Sequence, residues 1–123
     1  MLYTPGVVAS KYFNNNTTFE DGFITPDDSW DNYWRVGQNA ALGWDSNLPG
    51  SGAGASSLGQ ELAATDAFAQ CQVTKVFRSV CLRDPVDASD RGEISSMTNA
   101  FKNVNSYDLG EVFASSAAYC MGN

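Results

Sequence analysis

The residues of this chain whose chemistry is easiest to define are its three cysteines, Cys71, Cys81 and Cys120. A thiol can form a disulfide, bind a metal ion or act as a nucleophile, and spacing helps to decide between these uses. Cys71 and Cys81 fall in one helical pattern, where ten residues correspond to about 15 Å along the axis. They therefore cannot bond to each other while that helix is intact.

Cys120 is the better partner for Cys81. Each lies on the inward side of a helical pattern and near its C-terminal end, and these ends meet if three consecutive helices run up, down and up. The sequence therefore predicts a Cys81–Cys120 disulfide, and with it a periplasmic or extracellular location. Cys71 points away from the apolar stripe and is predicted to be a small buried residue under the N-terminal half. The alternative is three free buried thiols in a cytoplasmic protein.

Enzyme chemistry is restricted because the chain has no histidine. This removes Ser-His and Cys-His nucleophiles, histidine-based zinc sites and proximal haem ligation. Lys75 lies one turn from Cys71, but no histidine can activate that thiol, and the cysteine spacing does not fit a compact zinc site. We expect no catalytic residue and no cofactor, with an enzyme of unrecognised site as an alternative.

Five acidic residues fall within "FEDGFITPDDSWD": Glu20, Asp21, Asp27, Asp28 and Asp31. Carboxylates in a loop can bind Ca²⁺, which makes Asp27, Asp28 and Asp31 a weak candidate metal site. Their spacing fits no EF-hand, so a solvated acidic loop is the preferred interpretation.

Aromatic residues are concentrated just after this loop, at Trp30, Tyr33, Trp34 and Trp44. Trp30, Trp34 and Trp44 are candidate ligand-binding residues, since tryptophans beside carboxylates can form a platform for carbohydrate. The preferred interpretation is that they fold a loop-rich half onto helices.

Composition limits the partners. The chain has 123 residues, 43% hydrophobic, and a formal net charge of −7. That length predicts a single domain, residues 1–123, and the negative charge argues against nucleic acid and anionic membranes. No apolar segment is long enough to predict a membrane span. The short apolar run at the start follows no basic stretch, so it does not indicate a signal peptide.

The pattern of the chain changes near residue 58. Residues 1–57 are rich in turn formers, with one candidate helix at about 28–42 and a glycine-rich loop, "PGSGAGASS". Residues 58–123 read as helices, with Thr65 or Asp66, Asp87 or Asp90, and Ser106 or Asp108 as candidate caps and Glu93 as a capping-box partner of Asp90. The apolar stripes are Ala69, Val73, Val76, Phe77 and Val80, then Ile94, Met97, Phe101 and Val104, then Leu109, Val112, Phe113 and Ser116. The predicted fold class is therefore mainly α, a small three- to four-helix bundle with a loop-rich aromatic N-terminal half.

Residues 58–122 resemble a helical C-terminal module, a domain of unknown function, of large exported bacterial proteins of the planctomycete-type, cytochrome-c-like group. The matching positions are Leu62-Ala63, Phe68 with Cys71, Phe77, Arg83 with Pro85, Asp87 to Asp90, Phe101, Tyr107 with Leu109, and Tyr119. Cys81 and Cys120 are extra, and the chain has no haem-attachment motif.

The resemblance implies export and a neighbouring c-type cytochrome domain, and it implies no catalytic residue. The leading hypothesis is thus a non-catalytic module of an exported bacterial protein that docks to a c-type haem redox partner or another protein. The alternative is a ligand-binding or adhesive module that uses the Trp/Asp-rich half to bind carbohydrate or Ca²⁺.

Overall fold

The computed structural model describes residue 20 and residues 25–122, and it is mainly helical, as predicted. Within this part, two strands precede four α-helices: β1 Ser29–Asp31, β2 Ser51–Ala53, α1 Gly54–Ala63, α2 Asp66–Cys81, α3 Ala88–Asn103 and α4 Leu109–Met121. The chain divides into two compact units, one ending at Leu62 and the other beginning at Ala63. That both halves form one domain stays a prediction.

The first unit contains two strands where one helix was predicted. The helix expected at about 28–42 is wrong: the segment forms β1 and two 3-10 helices, Tyr33–Arg35 and Gly37–Leu42. Val36 between them is extended, with φ −117° and ψ 163°, and Gly37 has φ +73°, which a side chain would disfavour. β1 pairs antiparallel with β2, so strand pairing across the chain replaces local helix formation.

The second unit is the predicted helical bundle, formed by α2, α3 and α4, which all pack on one another. Each helix begins at a side-chain cap that accepts a backbone N–H. Thr65 Oγ1 accepts from Phe68 at 3.1 Å and Asp108 Oδ1 accepts from Gly110 at 2.8 Å. Asp87 caps α3, since its Oδ1 accepts from the backbone of Asp90 at 2.9 Å, so Asp90 is free for another role.

The core of the bundle follows the predicted stripes, with three exceptions. Its buried members are Ala69, Val73, Val76, Phe77, Ile94, Met97, Phe101 and Val112, and Ser116 is buried beside them. Val104, Leu109 and Phe113 were expected in the stripes and are exposed instead. Val104 falls after the last residue of α3, and only one narrow face of α4 meets the core.

Asp90 lies almost completely buried at the start of α3, with 1% of its surface exposed. The guanidinium of Arg83, the backbone N–H of Val86 and the hydroxyl of Tyr119 all donate to its carboxylate. Arg83 also lies over the Phe77 ring, 5.3 Å from its centroid. This network connects the α2–α3 loop, α3 and α4.

The structure brings Cys81 and Cys120 together, with their Cα atoms 5.6 Å apart and their sulfurs bonded. The C-terminal ends of α2 and α4 are therefore adjacent, as the predicted up-down-up order requires. The prediction for Cys71 is wrong: this cysteine is exposed, because its position on α2 faces away from the bundle core. Among the described residues, no helix is both long and apolar enough to cross a membrane.

Candidate binding groove

A groove of 360 Å³ lies on the first unit, between the 3-10 turn that follows β1 and one side of α1. Its apolar lining consists of Trp30, Tyr33, Trp34, Leu58 and Leu62. Asp31 and Asn32 complete it. We refer to these residues together as the aromatic groove.

Trp30 lies on β1 directly across the sheet from Gly52 of β2. A Cβ atom at Gly52 would lie 2.9 Å from the Trp30 ring and 2.9 Å from Ser57 Oγ, so only glycine leaves room for the indole. The indole N–H donates to Ser57 Oγ at 3.0 Å, and Ser57 in turn donates to the Ala53 carbonyl at 2.6 Å. The expected close-approach role of the glycine-rich loop is thus seen at Gly52.

Asn32 fixes the turn that carries the two most exposed aromatic residues of the groove. Its Oδ1 accepts from the backbone N–H of Trp34 at 3.0 Å, and its Nδ2 donates to Glu61 Oε1 at 2.8 Å. Tyr33 and Trp34 follow in the 3-10 helix with 75% and 58% of their surfaces exposed. Large aromatic side chains are thus held in solvent by a short, well-bonded turn.

An ion pair behind the groove holds the turn against α1. The Arg35 guanidinium donates to both Glu61 oxygens, at 2.7 and 2.8 Å, and to the Asp45 carbonyl at 3.0 Å. Glu61 is 2% exposed, and the hydrogen bonds from Arg35, followed by the one from Asn32, keep its pKa below the ordinary value of 4.5 against the opposing effect of burial. Gly50, at φ +74°, makes room for the Arg35 side chain.

The predicted site residues are only partly brought together. Trp30 and Trp34 line the groove, whereas Trp44 lies outside its lining and donates its indole N–H to the carbonyls of Trp34 and Asn39. Trp44 therefore supports the turn. Leu58 and Leu62 were not predicted; their spacing of one helical turn on α1, both exposed, was the available signal.

The three aspartates do not form a metal site. Asp27 Oδ1 accepts from the backbone N–H and the hydroxyl of Ser29, which lowers its pKa. Asp31 lies in the groove lining, and the Asp28 carbonyl accepts from Gly54. No group of three or more acidic or cysteine side chains converges anywhere in the described part of the chain, and Asp21 lies outside it.

Comparison with known proteins gives no match: no family model, curated protein or solved structure is similar enough to this chain to count as one.

Proposed function

We propose that this chain is a non-catalytic docking module of an exported bacterial protein and that it contacts its partner through the aromatic groove. The observation that carries the proposal is the pair Tyr33 and Trp34, consecutive aromatic side chains that remain exposed on a turn braced by Asn32. Aromatic residues are enriched where proteins bind one another, because they bury a large area with few rotatable bonds.

The lining of the groove favours a protein segment over carbohydrate. A sugar presents hydroxyl groups that must exchange water for protein hydrogen bonds, whereas the groove is lined mainly by apolar side chains. The side chain of Asn32 already bonds to Trp34 and Glu61. Apolar and aromatic side chains of a partner would fill the groove without that loss.

The strongly perturbed groups are accounted for by structural bonds. The pKa of Asp90 is held well below its ordinary value, first by Arg83, and that of Glu61 is lowered first by Arg35. Both carboxylates stabilise the units in which they lie, which supports a non-catalytic role.

Export is supported by the Cys81–Cys120 pair, since disulfides persist in oxidising compartments. A c-type cytochrome domain as the partner follows from the resemblance of residues 58–122 alone, and it remains part of the proposal.

The proposal is tested by selecting peptides from a random twelve-residue display library on the intact chain. We expect enriched peptides whose binding is lost in Tyr33→Ala and Trp34→Ala. It should persist in Val36→Ala, a matched control because Val36 is 72% exposed and outside the groove lining. The proposal is wrong if no enriched peptide depends on the groove, or if cello- or chito-oligosaccharides bind there instead.

A further inference from the structure

We propose that the aromatic groove selects an extended segment of the partner that carries an arginine or lysine next to a large apolar side chain. This inference rests on the docking function proposed above and names the chemistry of the partner. It follows from three features of the first unit: its charge, the exposed ring faces, and the apolar side of α1.

The charge around the groove is negative and has little local compensation. Asp31 lies in the groove lining, and Asp27 and Asp28 lie just before β1. Arg35 is the single basic residue in the described part of the first unit, and its guanidinium is bonded to Glu61. A cation approaching the groove thus meets carboxylates and no nearby positive charge that would repel it.

The exposed rings provide a second reason for a cation. A guanidinium or ammonium group within about 6 Å of an indole or phenol centroid is attracted to the ring face. Tyr33 and Trp34 are both more than half exposed, and Asp31 is part of the same lining. A positive side chain placed there interacts with a ring and a carboxylate together.

The opposite side of the groove requires an apolar group. Leu58 and Leu62 lie one turn apart on α1 and are 38% and 42% exposed. The volume of 360 Å³ is near the lower end of ligand sites, which run from roughly 300 to 1,000 Å³. The groove therefore has room for a few side chains, which fits a short segment better than a whole helix.

The experiment begins with the peptides selected on the intact chain. We expect arginine or lysine to be enriched beside leucine, phenylalanine or tryptophan in those that require Trp34. The top-ranked peptide is then synthesised with arginine and with citrulline, a neutral side chain of similar shape, and binding of each is measured by fluorescence anisotropy. The citrulline peptide should bind about 3- to 10-fold more weakly.

Variants of the chain locate the effect. Asp31→Asn should weaken the arginine peptide and leave the citrulline peptide unchanged, whereas Asp84→Asn, an exposed acid in the second unit, should change neither. The difference between the two peptides should shrink as NaCl is raised from about 50 to about 500 mM, because salt screens exposed charges.

The outcomes separate this inference from the docking function. Groove-dependent peptides without basic residues, or equal binding of the two synthetic peptides, would overturn the inference and leave the docking function standing. An absence of groove-dependent peptides would overturn both. Self-association that is lost in Trp34→Ala, measured by sedimentation at about 100 µM, would show that a second copy fills the groove and would also overturn it.

Discussion

Arg83 and Asp90 form a two-pronged ion pair, with Nη1 2.5 Å from Oδ2 and Nη2 2.8 Å from Oδ1. The carboxylate is 2% exposed and the guanidinium side chain 44% exposed, so the pair reaches from the interior to the surface. Removing the carboxylate charge leaves three donors of the bundle without their charged acceptor.

Asp90→Asn should therefore lower the melting temperature by about 5–10 °C. The matched control is Asp84→Asn, because the Arg78–Asp84 pair has side chains 56% and 70% exposed and should contribute little. Scanning calorimetry of both variants measures the effect. Equal shifts in the two variants would contradict the structural role of Asp90.

The effect of Asp90→Asn should depend on pH. The pKa of Asp90 is lowered in the folded chain, first by Arg83 and then by the Val86 N–H, from an ordinary value of 3.8. A lowered pKa means that the stabilisation is complete above about pH 4 and is lost as the pH falls further, when the unfolded chain takes up a proton. The difference between wild type and variant should be constant from pH 7 to 5 and shrink below pH 4. A difference that stays constant down to pH 2.5 would be incompatible with this mechanism.

The bond between Cys81 and Cys120 should stabilise the bundle by about 3–4 kcal/mol, because it closes a long loop in the unfolded chain. The two positions are 39 residues apart in sequence. Urea unfolding of Cys81→Ser should show this loss without added reductant, and reductant should lower the stability of the wild type by a similar amount. Cys71→Ser should change stability by less than about 0.5 kcal/mol, since this side chain is exposed. A free-thiol count of one on unreduced protein checks the pairing, and a count of three would refute it.

Two glycine-to-alanine changes should have opposite effects. Gly52→Ala places a methyl group 2.9 Å from the Trp30 ring and should destabilise the first unit by about 1–3 kcal/mol. Gly59 lies inside α1 with nothing within 4 Å of the added Cβ, so Gly59→Ala should stabilise by about 0.5–1 kcal/mol. Urea unfolding followed by tryptophan fluorescence measures both. A neutral Gly52→Ala would mean that Trp30 does not lie against this position.

Leu82 ends α2 in the left-handed region, at φ 55°, where glycine is favoured. Leu82→Gly should stabilise the bundle by about 0.5–1 kcal/mol, since relief of backbone strain exceeds the added freedom of the unfolded chain. Leu82→Ala keeps the strain and, because Leu82 is 87% exposed, should be nearly neutral. The comparison uses thermal unfolding, and a destabilised glycine variant would argue against strain at this position.

The bundle could be predicted from the sequence because its signals are local. Caps such as Thr65 and Asp108 and the spacing of Val73, Val76 and Phe77 depend on residues within a turn or two. The same local argument was wrong for residues 28–42, where pairing of β1 with β2 competes with helix formation. Cys71 was assigned to a buried position that the structure does not provide.

The groove could be predicted only in part. The cluster of Trp30 and Trp34 is visible in the sequence, but its other side comes from α1, more than twenty residues later. Glu61 and Asp90 look like ordinary helical acids until Arg35, Arg83 and Tyr119 are brought to them by the fold. Contacts of this kind leave no spacing pattern.

The sulfur bond at the ends of α2 and α4 also sets a path for mechanical load. Tension applied beyond Cys120 passes through the bond into Cys81 and α2, so residues 82–119 carry none of it while the bond is intact. In an oxidising medium, a pull from that side can lengthen the chain only from α2 backwards. Under reducing conditions, α4 and then α3 become extensible, and a pulling experiment would record their added length.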